Sequence, residues 1–128
     1  MVETEKVTIN MSAVDLGKVD LLVQEALYSN RSDFIRTAIR NLLDKHYVEL
    51  QQAIVRQAFV VGVQVYTAKQ LEQCKARKER LNITVVGYLS FARDITPELA
   101  DEVIESVNIK GILDISPAVK AVLGERLS

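Results

Sequence analysis

Lys6-Val7-Thr8-Ile9-Asn10-Met11 alternates without a break. Lys6, Thr8 and Asn10 fall on one side, and Val7, Ile9 and Met11 on the other. A period of two is the signature of a strand with one buried face. Ser12 follows at an N-cap position, with Asp15 three residues later as an acidic partner. Leu16, Val19, Leu22, Val23, Ala26 and Leu27 then recur at helical spacing. This helix is expected to stop around Tyr28-Ser29-Asn30. Asn30 and Asp33 repeat the cap pattern and open a second helix. Its inner side carries Phe34, Ile35, Ala38, Ile39, Leu42 and Leu43, with Arg31, Arg36 and Arg40 largely outside.

Strand, helix, helix is not a complete fold. A lone strand leaves its backbone donors and acceptors without partners. One strand and two short helices also bury too little for an independent core. A second copy solves both problems: two strands pair antiparallel into a ribbon, and four helices pack beneath it. An obligate homodimer is therefore expected.

Residues Lys6–Lys45 resemble the ribbon-helix-helix family, the MetJ/Arc/CopG type of regulator. Val7-Thr8-Ile9-Asn10-Met11 is similar to the family's ribbon strand. Tyr28-Ser29-Asn30-Arg31-Ser32-Asp33-Phe34-Ile35-Arg36-Thr37-Ala38-Ile39-Arg40 is similar to its turn and second helix. Many relatives place Gly in the turn where this chain has Tyr28-Ser29-Asn30; Asn tolerates the left-handed geometry involved. The resemblance implies an intertwined dimer that binds double-stranded DNA and regulates transcription, with a repressor as the expected role.

Composition bounds that reading. The chain has 128 residues, 48% apolar and 26% charged, a soluble globular balance. Its net charge of −1 lends no support to nucleic-acid binding. Residues 1–46 carry six Lys/Arg against seven Asp/Glu, so DNA binding would rest on where charges are placed. The apolar runs Ala58–Val63 and Ile83–Leu89 are too short to span a bilayer. With no secretory signal in view, a cytoplasmic protein is expected. Cys74 is the single cysteine and His46 the single histidine, which rules out an internal disulfide. A metal site of Cys and His within one chain is not expected, and neither is any other cofactor. No nucleophile-and-base set or phosphate-loop spacing is present, so no catalytic residue is assigned and the chain reads as a non-enzyme.

The expected fold class is α+β. Residues 1–46 form the ribbon-helix-helix domain, 47–58 a helical connector, and 59–128 a C-terminal strand–helix domain with an assembly or regulatory role. The C-terminal part carries a faint repeat. Phe59–Val65, Ile83–Phe91 and Ile109–Ile115 each read as a strand. Helical runs come after them through Ala68–Arg80, from Thr96-Pro97 to about Val107, and after Ser116-Pro117. Gly62, Gly87 and Gly111 lie 25 and 24 residues apart, and Leu81-Asn82-Ile83 echoes Val107-Asn108-Ile109. The pattern fits a solenoid-like stack or a compact α/β sandwich, with parallel pairing favoured in either.

Two groups of residues are the candidates for DNA contact. Lys6, Thr8 and Asn10 lie on the open face of a ribbon that fits the major groove, where they would meet base edges. Asn30, Arg31 and Ser32 begin the second helix, whose free N–H groups and dipole suit a phosphate. Arg36 and Arg40 read as solvated or paired, and Lys75–Arg80 as an exposed helix end. The position of the C-terminal part resembles the nickel-responsive regulators of the same family. This chain lacks their His and Cys ligands, so no metal is expected there. Residues 59–128 are instead expected to join dimers into tetramers or to contact a partner protein. Two other classes stay open: an antitoxin, and an assembly protein that uses its first domain only to dimerise.

Overall fold

The computed structural model describes residues 4–128 and contains helices and strands in one mixed α+β chain. It divides into two compact units. One is Lys6–Ala53; the other is Ile54–Ser128 together with Thr4 and Glu5.

In the first unit, α1 spans Ala13–Gln24 and α2 spans Arg31–Lys45. Ser12 Oγ accepts the Asp15 N–H at 3.1 Å and fixes the start of α1. The helix ends at Gln24, several residues before the expected stop at Tyr28. Ala26 takes φ 61° there, and the Leu27 N–H bonds the Leu22 carbonyl at 3.1 Å. This is a Schellman turn with alanine where glycine is usual. The left-handed residue is thus Ala26, not a member of the Tyr28-Ser29-Asn30 turn. Tyr28 and Phe34 then meet edge to face at 5.0 Å and brace the approach to α2.

Lys6–Met11 has no regular secondary structure in the single chain. A strand needs a neighbour to bond, and none is present within the first unit. Val7 is 79% exposed and Ile9 62%. Val19, at 4%, is the one buried apolar residue of Lys6–Ala53, while Val14, Leu21, Leu27, Ile39, Leu42 and Leu43 are all exposed.

The division between the units falls within α3, Tyr47–Arg56. Beyond it come β1 (Val60–Tyr66), α4 (Ala68–Ala76), β2 (Leu81–Phe91), α5 (Pro97–Val103), β3 (Ile104–Asp114) and α6 (Pro117–Leu123), closed by a short 3-10 turn over Gly124–Arg126. The three strands pair in parallel and in chain order, β1-β2-β3. Ile83, Val85, Leu89 and Phe91 of β2 and Val107 of β3 form a core with Leu71 and Cys74 of α4, Leu99, Ala100 and Val103 of α5, and Val119 and Leu123 of α6. Cys74 is a buried member of this core.

Gly62, Gly87 and Gly111 stand level with one another across the sheet, at φ 133°, 136° and 130°. A Cβ on Gly87 would overlap the Gly62 carbonyl oxygen, and one on Gly111 would overlap that of Gly87. Glycine is therefore required twice over, by backbone angle and by the approach of the strand before it. The 25- and 24-residue spacings give the true register. The echo of Leu81-Asn82-Ile83 in Val107-Asn108-Ile109 is out of step with it: Asn82 pairs with Ser106, and Asn108 with Thr84.

Helix α5 passes straight into β3 without a glycine. Its last carbonyls are met by two arginines. Arg126 Nη1 donates to Asp101 O at 3.1 Å and Ile104 O at 3.2 Å, and Arg80 Nη2 reaches the same two oxygens. β3 consequently starts at Ile104, where the sequence pattern reads as helix to about Val107.

Candidate nucleic-acid interface

Two short segments of the first unit hold the candidate residues. Lys6, Thr8 and Asn10 lie exposed in the segment that precedes α1, and Ser12 anchors the end of that segment to the helix. Their alternation with Val7, Ile9 and Met11 would put the two sets on opposite faces of an extended strand.

The start of α2 is built by reciprocal bonds. Asn30 Oδ1 accepts the Asp33 N–H at 2.8 Å, and Asp33 Oδ2 accepts the Ser29 N–H at 2.9 Å. Among the described residues, the N–H groups of Arg31 and Ser32 make no hydrogen bond. Two donors therefore remain at the positive end of the α2 dipole, with the exposed Ser32 hydroxyl beside them. The Asp33 carboxylate partly offsets that positive end.

Arg31 is committed elsewhere. Its Nε donates to Asp20 Oδ1 at 2.7 Å and its Nη2 to Oδ2 at 2.8 Å, a fork-on-fork pair between α2 and α1. Hydrogen bonding by the guanidinium, aided by its charge, holds the Asp20 carboxyl below the usual carboxylate range, and the carboxylate raises Arg31 in turn. The sequence gives no sign of this pair, because its members are 11 residues apart and meet only through the turn between the helices. Arg36 and Arg40 are exposed and make no ion pair among the described residues.

The basic run Lys75–Arg80 is largely satisfied within its own unit. Lys75 pairs with Glu102 at 2.9 Å, Arg77 with Glu79 at 3.5 Å, and Arg80 caps α5. His46 ends α2 as its C-cap and lies 3.9 Å from the Glu49 carboxylate.

The second unit contains a polar cluster that sequence reasoning missed. Asp114 Oδ2 accepts from Ser90 Oγ at 3.0 Å and from the Tyr88 hydroxyl at 3.2 Å, and Asp114 Oδ1 accepts from Arg93 at 2.6 Å. The Ser90 bond, seconded by the Arg93 charge, holds the Asp114 carboxyl below its ordinary range. Tyr88, Ser90 and Asp114 border an open cavity of about 590 Å³ that Thr4, Glu5, Ile112 and Leu113 also line. The cluster joins β2 to β3: Ser90 stands level with Asp114, Tyr88 lies two residues before it on β2, and Arg93 follows the end of that strand. Among the described residues no group of three or more His, Cys, Asp or Glu is placed to hold a metal ion. No helix there is long and apolar enough to cross a membrane.

No curated protein and no solved structure matches the chain. A family model does, over residues 2–120, so the match takes in the strand–helix repeat as well as the two helices before it. By that match the chain belongs to the Ribbon-Helix-Helix transcriptional regulator family.

Proposed function

We propose that this chain is a sequence-specific DNA-binding repressor of transcription, working as a homodimer whose paired Lys6–Met11 segments enter the major groove. The observation that carries the reading is the unfinished state of the first unit. Its one buried apolar residue is Val19, while Val7, Ile9, Val14, Leu21, Ile39, Leu42 and Leu43 stay open. Burying a side chain of this size stabilises by about 1.5–3 kcal/mol, so closing these seven against a second copy is worth on the order of 10 kcal/mol per chain. Pairing the two segments also gives their backbone groups partners. The same pairing turns Lys6, Thr8 and Asn10 outward in two copies, as a ribbon that fits the groove.

In this reading Thr8 and Asn10 read base edges, and Asn is suited to adenine. Lys6 meets a guanine or a phosphate. The free Arg31 and Ser32 N–H groups receive a phosphate on each flank, while Asn30 keeps the helix start in shape. A regulator of this kind works in the cytoplasm on double-stranded DNA.

One observation favours a second reading, an assembly protein that uses the first unit only to dimerise. Arg31, the cation best placed at the α2 start, is neutralised by Asp20. Selection from random duplex DNA separates the two, with a Lys6→Ala/Thr8→Ala/Asn10→Ala variant alongside the wild type. A two-fold motif enriched by the wild type and lost in the variant supports the ribbon reading. No enrichment at low salt from a folded dimer supports the assembly reading.

A further inference from the structure

The glycine ladder of the second unit is open at both ends, and each end has the shape the other lacks. Within the sheet, every glycine receives the carbonyl of the strand before it: Gly62 O lies where a Gly87 Cβ would be, and Gly87 O where a Gly111 Cβ would be. Gly62 has the same backbone angle, φ 133°, yet nothing lies within 4 Å of its Cβ position. By the same repeat, the Gly111 carbonyl points away from β2 at the free edge of β3. One edge has an unfilled place for a carbonyl oxygen, and the other has the carbonyl.

The backbone phase of the two edges also agrees. Parallel strands direct alternate residues to alternate sides. Tyr66 O accepts from Ala92 N on the β2 side, so the even positions of β1 face β2 and Val61, Val63 and Val65 face the open edge. On β3, Val107 O and Ile109 N bond Ser128, so the odd positions face outward there. Among the described residues, Ile109 C=O, Gly111 and Leu113 have no backbone partner on that side.

We infer that the β1 edge of one chain docks in parallel on the β3 edge of a second copy, with Gly62 level with the neighbour's Gly111. Five hydrogen bonds result from that register. Val61 N–H donates to Ile109 O, and Gly111 N–H to Val61 O. Val63 N–H donates to Gly111 O, Leu113 N–H to Val63 O, and Val65 N–H to Leu113 O. Ser128 lies at the level that the incoming Phe59 takes, so its two bonds to β3 are the part of the edge that docking displaces.

The composition of β1 supports a copy of the chain as the occupant. Lone edge strands are normally protected by charge, proline or a short length. Val60-Val61-Gly62-Val63-Gln64-Val65-Tyr66 is seven residues long and has neither a charge nor a proline. Val61 is 62% exposed and Val63 50%. The contact is head to tail, so it adds chains in one direction instead of closing on a two-fold axis. It involves none of the residues assigned to DNA.

The test uses full-length chains without DNA. Val63→Cys and Ile112→Cys proteins, each keeping the buried Cys74, are mixed and treated with a short thiol-bridging reagent such as dibromobimane. The register sets position 63 beside position 112 of the next chain, so bridges are expected between the two proteins and not within either alone. Bridging of Val63→Cys with itself would mean that two β1 edges meet antiparallel, and would overturn the proposal. Sedimentation velocity gives an independent reading. The average mass of the wild type should climb with concentration, and Val63→Pro, which removes one edge-facing N–H, should stop the climb. A wild type of constant size over the range, with no bridges formed, would also overturn it.

Discussion

Arg31 and Asp20 lie fork to fork, with Nε to Oδ1 at 2.7 Å and Nη2 to Oδ2 at 2.8 Å, across the turn that presents the start of α2. The pair bridges α1 and α2 at the exposed surface. On the proposed DNA-binding reading, it also withholds the cation that lies beside the free N–H groups of the α2 start.

Asp20→Ala releases that cation. The pair is exposed, so folding should change little. DNA affinity should rise at low salt, and the slope of log affinity against log salt should steepen by about 0.9 for each arginine that reaches a phosphate. Fluorescence anisotropy titrations at several salt concentrations read this directly. An unchanged slope would mean that Arg31 stays off the phosphates even when free.

Asn10→Ala tests base reading separately from phosphate binding. The residue is exposed and its loss leaves no buried group unpaired. Affinity for the selected motif should fall by roughly 1–3 kcal/mol, with sequence preference relaxed and the salt slope kept. A uniform loss on all sequences would assign Asn10 to the backbone instead.

Gly87 and Gly62 share a backbone angle but not a neighbour, and alanine at each separates the two effects. Both variants suffer the strain of a positive φ, about 1–3 kcal/mol. Only Gly87→Ala also forces a Cβ into the Gly62 carbonyl. In dilute protein, Gly87→Ala should therefore lose clearly more stability than Gly62→Ala in urea unfolding monitored by circular dichroism. Equal losses would show that the close approach of β1 to β2 is not costly to disturb.

Asp114 makes part of the stability depend on pH. Its carboxyl is held below the unfolded value by Ser90, Arg93 and Tyr88. A depressed group stabilises the fold at pH values above the unfolded pKa of about 3.9 and stops doing so as pH falls through the folded value. The stability gap between wild type and Asp114→Asn should be widest near neutral pH and should close in acid. Urea midpoints from pH 7 to pH 3 measure it. A gap that stays constant with pH would mean that the asparagine disrupts the cluster by shape alone.

The parts legible in the sequence are those written in local chemistry. Ser12 with Asp15, Asn30 with Asp33, Thr96-Pro97 and Ser116-Pro117 each mark a helix start, and each cap bond is formed. The spacing of Gly62, Gly87 and Gly111 matches the sheet register, but the echo of Leu81-Asn82-Ile83 in Val107-Asn108-Ile109 competes with it in the sequence, and only the fold separates the two. Helix ends were harder to read. α1, α3 and α4 each stop at a left-handed residue that is not glycine: Ala26, Ala58 and Lys78. Nothing local marks an alanine or lysine for that geometry; each turn is closed by a backbone bond, from Leu27 N–H to Leu22 O, Phe59 N–H to Ile54 O and Glu79 N–H to Cys74 O. The α5–β3 junction was hidden because Val103, Ile104 and Val107 are all buried, and such an apolar run suits either period. The candidate site divides in the same way. Asn30 and its free neighbours are legible from capping rules. The Arg31–Asp20 and Asp114 clusters depend on residues brought together only by the fold.

The ladder of glycines also sets how this half of the molecule can change length. A single residue inserted within a strand would move one glycine off its level and bring a side chain against a carbonyl. The same insertion in a loop leaves the levels intact, as the unequal 25- and 24-residue spacings already illustrate. Growth or shrinkage without breaking the sheet therefore proceeds by whole strand–helix units, each ending with its glycine on the shared line.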